Sequence, residues 1–270
     1  MHETNVLTLA LRLAKQAGEL IAKQRQSLSV SYKNGNELVT QADVAADTLI
    51  ANGIRSNYPN HVILSEELTP DQVAEASERE HLWIVDLIDG TVNYAHHHPQ
   101  VAISIAYYHK GKARVGVVHN PFLNETFHAQ AGKGARLNDI PIRCSTNVEL
   151  NRAIIATGFP YVIEDLPKLM RRLENVLSNC ADIRRLGSAA LDICWVACGR
   201  LDGYYESVKP WDFAAAQLIA REAGAQFGHI HELSADINPQ LHGDNILISG
   251  AQLFSPLQSL LREADAQSED

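Results

Sequence analysis

Cysteine, aromatic residues, long apolar runs and excess positive charge are all scarce in this chain. Four cysteines in 270 residues are too thin a supply for a disulfide framework. Cys194 and Cys198 stand one helical turn apart, and with no second pair to complete a zinc cage they read as buried apolar thiols. No stretch approaches the ~18 consecutive apolar residues that a bilayer span requires. Met1 to Asn5 also lacks the basic segment and apolar run of a signal peptide, so the expected location is the cytoplasm. Lys and Arg number 23 against 32 Asp and Glu, and the basic residues are dispersed, so neither nucleic acid nor a membrane is expected as a partner. There is no His-Glu-x-x-His. His96, His97 and His98 are consecutive, cannot all face one ion from a regular element, and read as a polar loop rim. Neither internal repeats nor low-complexity segments occur.

What the chain does have is apolar content. At 46% hydrophobic residues it can bury a large core as one domain or two closely packed halves. The most informative stretch is His81 to Tyr94, where an apolar run ends in two carboxylates, a glycine, a hydroxyl and an amide. Leu82 to Val85 has the length and composition of a buried strand, and Gly90 permits backbone angles or a close approach that a side chain would block. A helix opening at Thr91 and Asn93 would offer free amides and the positive end of a dipole to a phosphate, with Asp86 and Asp89 beside it. Two carboxylates there would repel a phosphate unless a cation intervened, and oxygen ligands without Cys or His point to Mg²⁺. Metal-assisted phosphate-ester hydrolysis fits this stretch, and so does a solvated strand-to-loop turn.

Other segments repeat the pattern of an apolar element ending in an acid. Val6 to Gln26 has the periodicity of an amphipathic helix. Thr40 can cap a second helix reaching about Tyr58, with Asp43 in its first turn, where dipole compensation and a functional role both fit. His61 to Ser65 reads as a short strand ending in Glu66. That acid is either an exposed loop residue or a third carboxylate beside Asp86, depending on whether the two strands are neighbours. Thr69 to Glu80 is a charged surface connection. Val101 to Tyr108, Ala113 to His119 and Glu125 to Ala129 predict three antiparallel strands, with a further edge strand at Leu137 to Ile142.

After Asn147 strands and helices alternate: strand Ala153 to Thr157, helix Asp165 to Asn179, strand Asp182 to Leu186, a helix from Ser188 to Gly199, strand Leu201 to Glu206, and a helix from Pro210 that stops at Gly224. The division expected is residues 1–146 as an N-terminal α+β half and 147–270 as a C-terminal half completing the site. Gly187, Ser188 and Ala189 form a small-residue turn at a helix start where a ligand can come close. Asp212 sits in the first turn of its helix, which dipole stabilisation alone would explain. Glu206 ends a strand and could accept a substrate hydroxyl. A last helix, Pro256 to Ala264, leads into a tail from Asp265 expected to fray.

Together these segments resemble the Mg²⁺-dependent, lithium-sensitive inositol monophosphatases, most closely their bacterial branch, over nearly the whole chain. Asp86-Leu87-Ile88-Asp89-Gly90-Thr91-Val92-Asn93-Tyr94 is similar to the family's first signature, and Trp211-Asp212-Phe213-Ala214-Ala215-Ala216 to its second. Leu38-Val39-Thr40, Ser65-Glu66-Glu67, Ala156 to Pro160 and Arg184 to Ala190 follow in the family's order. The resemblance implies an α+β fold, a layered α/β/α/β/α sandwich with two β-sheets, in a homodimer.

It further implies two to three Mg²⁺ ions held by Glu66, Asp86, the Ile88 carbonyl, Asp89 and Asp212. The Gly90 and Thr91 amides would cradle phosphate, and Glu66, Thr91 and Asp43 would orient the attacking water. Asp89, Gly187, Ser188, Ala189 and Glu206 would meet the hydroxyls of a phosphorylated polyol. Inositol 1-phosphate is the expected substrate; fructose 1,6-bisphosphate, histidinol phosphate and a nucleotide 3′-phosphate are alternatives. A regulatory role in contact with transcription or translation machinery is another. Two departures stand out. Leu87 replaces the family's proline, which is expected to relax the aim of Asp86 and weaken Mg²⁺ affinity. Ala216 replaces a glycine, which should affect packing alone.

Overall fold

The structure is a computed structural model that describes residues 2–27, 30–33, 37–66, 76, 78–146, 149–160 and 165–267. Its strands are β1 Val30–Lys33, β2 Glu37–Thr40, β3 Val62–Ser65, β4 His81–Asp89, β5 Ala102–His109, β6 Lys112–Asn120, β7 Glu125–Gln130, β8 Ala135–Leu137, β9 Ile140–Pro141, β10 Ile154–Thr157, β11 Asp182–Arg184, β12 Gly203–Glu206, β13 Ala225–His229 and β14 Ile246–Gly250. The helices are α1 His2–Gln24, α2 Gln41–Asn57, α3 Thr91–Ala95, α4 Leu166–Asn179, α5 Ala189–Ala197, α6 Pro210–Glu222 and α7 Ala251–Ala266.

A seven-stranded sheet runs β3-β4-β5-β6-β7-β8-β9 and a five-stranded sheet β11-β10-β12-β14-β13. Burial explains how they stack. One apolar face of the larger sheet, with Trp83, Val85, Ile103, Ile105 and Val115, packs on α1 and α2 through Leu9, Leu13, Ile50 and Ile54. The opposite face, with Leu82, Ile84, Tyr108 and Phe127, meets α5 and α6, and these meet Tyr204, Ile246 and Ile248 of the smaller sheet. The outer face of that sheet is covered by α4 and α7 through Val176, Leu257 and Leu261. The result is the expected α+β sandwich of five layers. Its central helices, α5 and α6, are apolar nearly all round because both flanks are covered by a sheet.

Several expectations are corrected. The single edge strand over Leu137 to Ile142 is a hairpin, β8–β9, turned at Asn138 and Asp139, whose φ values are 47° and 65°; short polar side chains tolerate that left-handed geometry. Strands β13 and β14 were not foreseen between Gly224 and Pro256. The last helix begins at Ala251, not at Pro256, which lies inside it on the solvent side. Leu253, Phe254 and Leu257 continue the apolar stripe across the proline, so packing holds the helix where local propensity would end it. Asp265 does not fray: both of its carboxylate oxygens accept from Arg172, at 2.7 and 2.6 Å. Most of the connection Thr69 to Glu80, and Glu67, lie outside the described residues.

Candidate metal centre at the ends of two parallel strands

β3 and β4 are parallel neighbours with Ser65 beside Val85, so the residues that follow, Glu66 and Asp86, emerge at one sheet edge. β4 continues past Asp86, and its pairing with β5 shifts register between Asp86 and Asp89. That irregularity brings both aspartates of one strand toward the same corner. Gly90 then turns the chain at φ 94°. A Cβ there would sit 2.7 Å from the Gln100 carbonyl oxygen and 3.0 Å from that of Gly187, so the turn has room for glycine alone. α3 starts immediately, and the Thr91 hydroxyl donates to the Ile88 carbonyl at 3.0 Å. Asn93 Nδ2 donates to Leu186 O and Gln100 O at 2.7 and 2.9 Å, tying α3 to two loops.

Asp212 arrives from the other half of the chain, in the first turn of α6, where its Oδ2 accepts from Lys209 N at 2.8 Å. One carboxylate oxygen from each of Asp86, Asp89 and Asp212 falls within 4.8 Å of the others. Asp86 is 2% exposed and Asp89 7%. Asp86 Oδ1 accepts from Ile88 N at 3.0 Å, and Leu87 is buried in the α1/α2-side core. The Asp86 carboxylate is therefore held by its own turn, whatever the missing proline would add. Asp89 points at the start of α5, where Ser188 Oγ donates at 2.5 Å, Ala190 N at 2.8 Å and Ala189 N at 3.2 Å.

Burial and mutual repulsion set the electrostatics. Asp86 is pushed well above the carboxylate range, first by burial and then by the charges of Glu66, Asp89 and Asp212. Asp212 rises to about 8 through burial and Asp89. Asp89 reaches only about 6, because the Ser188 hydroxyl and the α5 amides stabilise its charge against burial. Carboxylates crowded this way must take up protons or cations. An all-oxygen donor set suits a hard divalent cation, and these residues could hold one.

Glu206 lies at the end of β12 with Tyr204 Oη donating to its Oε2 at 2.5 Å, and burial lifts its carboxyl to about 7. A Cβ on Gly158 would meet that carboxylate, so a larger residue there would require the Glu206 side chain to move. Ser188 is 1% exposed and caps α5 beneath Asp89, whereas Gly187 is left-handed at φ 85°. Asp43 falls in α2, and its side chain lies outside the described residues.

Two participants escaped the sequence reading. The buried Arg25 donates to the carbonyls of Tyr94, Asn93 and His98 at 3.0, 3.0 and 2.7 Å, anchoring the far end of α3. Asp192 is 2% exposed, its Oδ1 has no hydrogen-bond partner among the described residues, and burial with the nearby charges of Asp89 and Glu206 raises it well above the carboxylate range. An arginine at a helix end and an aspartate in an apolar helix carry no local signal of either role.

Comparison with known proteins gives a consistent result. A family model described as the inositol monophosphatase family matches residues 2–259. Nus factor SuhB of Pasteurella multocida is 42% identical over 224 residues, 81% of this chain and 83% of that one. Nus factor SuhB of Escherichia coli K12 is 39% identical over 263 residues, 96% of each chain. Among solved structures, the Thermotoga maritima IMPase superposes with a TM-score of 0.85 at 30% identity, covering 97% of this chain and 99% of that one.

Proposed function

The chain belongs to the inositol monophosphatase family, and from that premise we propose that it is a Mg²⁺-dependent phosphomonoesterase that hydrolyses inositol monophosphate, inositol 1-phosphate first. The observation that carries this reading is the meeting of Asp86, Asp89 and Asp212 within 4.8 Å beside a left-handed glycine and a helix start.

In this reading Glu66, Asp86, the Ile88 carbonyl, Asp89 and Asp212 hold two to three Mg²⁺ ions. When bound, the ions acidify the attacking water and offset the charge that builds on the phosphoryl oxygens and the leaving alkoxide. The chain's own contribution is position. The Gly90 amide, at the helix cap, and the Thr91 amide, in the first turn, would cradle the phosphate. Thr91 and Glu66, with Asp43, orient the water in line with the ester. Asp89, Gly187, Ala189 and Glu206 meet the polyol hydroxyls, and Ser188 supports that surface through Asp89.

A Mg²⁺ titration of phosphate release from inositol 1-phosphate, fructose 1,6-bisphosphate, histidinol phosphate and a nucleotide 3′-phosphate tests the proposal. The expected result is Mg²⁺-dependent turnover with the highest kcat/KM for inositol 1-phosphate, inhibited by Li⁺; a clear preference for the nucleotide would defeat the substrate assignment. A homodimer belongs to the same reading and is checked by sedimentation equilibrium.

A second reading is favoured by the relatives named Nus factors: the scaffold serves as a binding component of the transcription machinery. Asp89→Asn separates the two, since it removes hydrolysis and leaves the outer surface untouched. A cellular phenotype that survives this change would belong to binding.

A further inference from the structure

At the opposite end of β4 from the acid centre, three histidines form a row across neighbouring strands. His81 and His109 are directly paired in the β4–β5 register, and His61 immediately precedes β3, whose Val62 pairs with Leu82. Their rings stack, with centroids 4.3 Å apart for His61 and His81 and 5.0 Å for His81 and His109. Glu80 precedes β4, and its carbonyl accepts from Lys110 N at 2.9 Å, pinning it to the far end of β5. Its Oε1 lies 3.4 Å from His109 Nε2. One ligand atom from each of Glu80, His81 and His109 falls within 4.8 Å of the others. Asp86 is five residues along the strand, ~17 Å away at the usual rise, so this cluster is separate from the acid centre.

We propose that Glu80, His81 and His109 form a second metal site, selective for a borderline transition-metal ion such as Zn²⁺ over Mg²⁺. The donor set decides the selectivity: two imidazoles and one carboxylate suit Zn²⁺, whereas Mg²⁺ prefers oxygen alone. The surroundings supply what such a site needs. The Tyr107 hydroxyl lies 2.7 Å from His81 Nδ1, so an Nδ1–H donating to that oxygen would direct Nε2 to the ion and fix the ring. His61 takes no part as a ligand, because Trp83 Nε1 donates to its Nδ1 at 3.0 Å; it braces the face of His81. Among the described residues, binding has two costs. The His81 and His109 planes are only 20° apart, so His109 must turn about its broad terminal torsion for both lone pairs to converge. Its side chain is 39% exposed and has the space. Lys110 Nζ, 3.3 Å from Glu80 Oε1, must also swing away.

Calorimetric titration of the intact protein with Zn²⁺, in millimolar Mg²⁺ to keep the acid centre filled, tests this inference. His96→Ala, His97→Ala and His98→Ala are combined as the background, so that the exposed histidine run contributes nothing. Saturable binding of one Zn²⁺ per chain is expected to persist in that background. His109→Ala or Glu80→Gln should weaken it at least tenfold, Lys110→Ala should strengthen it, and His61→Ala should change it less than threefold. Phosphatase turnover in Mg²⁺ should be unaltered by His109→Ala. Loss of Zn²⁺ binding in the background alone, or binding undiminished by His109→Ala and Glu80→Gln, overturns the proposal.

Discussion

Among the acids of the centre, Asp89 differs in what surrounds it. Asp86 is driven up by burial and by the surrounding acids, and Asp212 by burial and by Asp89, while the Ser188 hydroxyl and two α5 amides draw Asp89 back to about 6. A charge-assisted hydrogen bond of this kind contributes about 1.5–3 kcal/mol. Ser188→Ala should therefore raise the Asp89 pKa and make cation binding compete with a proton over a wider range. The expected outcome is an apparent Mg²⁺ affinity about tenfold weaker at pH 6, with most of the difference recovered by pH 8.5. Magnesium titrations of turnover at the two pH values check it; an equal loss at both would mean the hydroxyl acts on geometry and leaves the proton equilibrium alone. Leu87 shows the same local logic from the other side. Asp86 Oδ1 accepts from Ile88 N, a donor that either leucine or proline at 87 would leave in place.

Helix α6 is the element that carries Asp212 to the site, and its depth is set by the sheet beneath it. At Gly116 of β6 an added Cβ would stand 2.6 Å from Ala215 O, a backbone atom that cannot step aside alone. The run Ala214-Ala215-Ala216, all buried, is small for the same reason: the helix lies against the strands with no space for larger side chains. Gly116→Ala should push α6 outward, costing about 1–3 kcal/mol of stability as overpacking does. Because Asp212 moves with the helix, Mg²⁺ affinity should fall as well. Thermal melts and a Mg²⁺ titration check both effects, and a variant that loses stability while keeping wild-type Mg²⁺ affinity would show that α6 and its aspartate are not rigidly coupled.

The whole molecule stores an electrostatic debt at its centre. Asp89, Glu206 and Asp212 have folded pKa values near 6, 7 and 8, above the ordinary carboxylate range near 4. In the metal-free protein the folded state therefore binds more protons than the unfolded chain between about pH 4 and 8. Stability contributed by these groups is fully present below the unfolded pKa and is lost as pH rises through the folded values. A cation substitutes for the protons, so the rise in Tm produced by Mg²⁺ should grow steadily from pH 5 to pH 8. Melts with and without Mg²⁺ at constant ionic strength measure this, and a shift independent of pH would remove the acids as its cause.

The chain order alone made much of this readable. Apolar runs ending in Glu66, Asp86 and Asp89, the obligatory glycine at 90 and the helix start at Pro210-Trp211-Asp212 are local patterns, because strand and helix periods and turn chemistry act over a few residues. The strands at 225–229 and 246–250, the true start of the last helix and the anchored Asp265 were not readable, since packing against distant elements outweighed local propensity there. Only the tertiary structure brought Asp212 against Asp86, set Arg25 beneath α3, left Asp192 Oδ1 without a hydrogen-bond partner among the described residues and lined up His61, His81 and His109. Those relations depend on strand register, layer stacking and exclusion of water, which are properties of the folded surroundings and of no single segment.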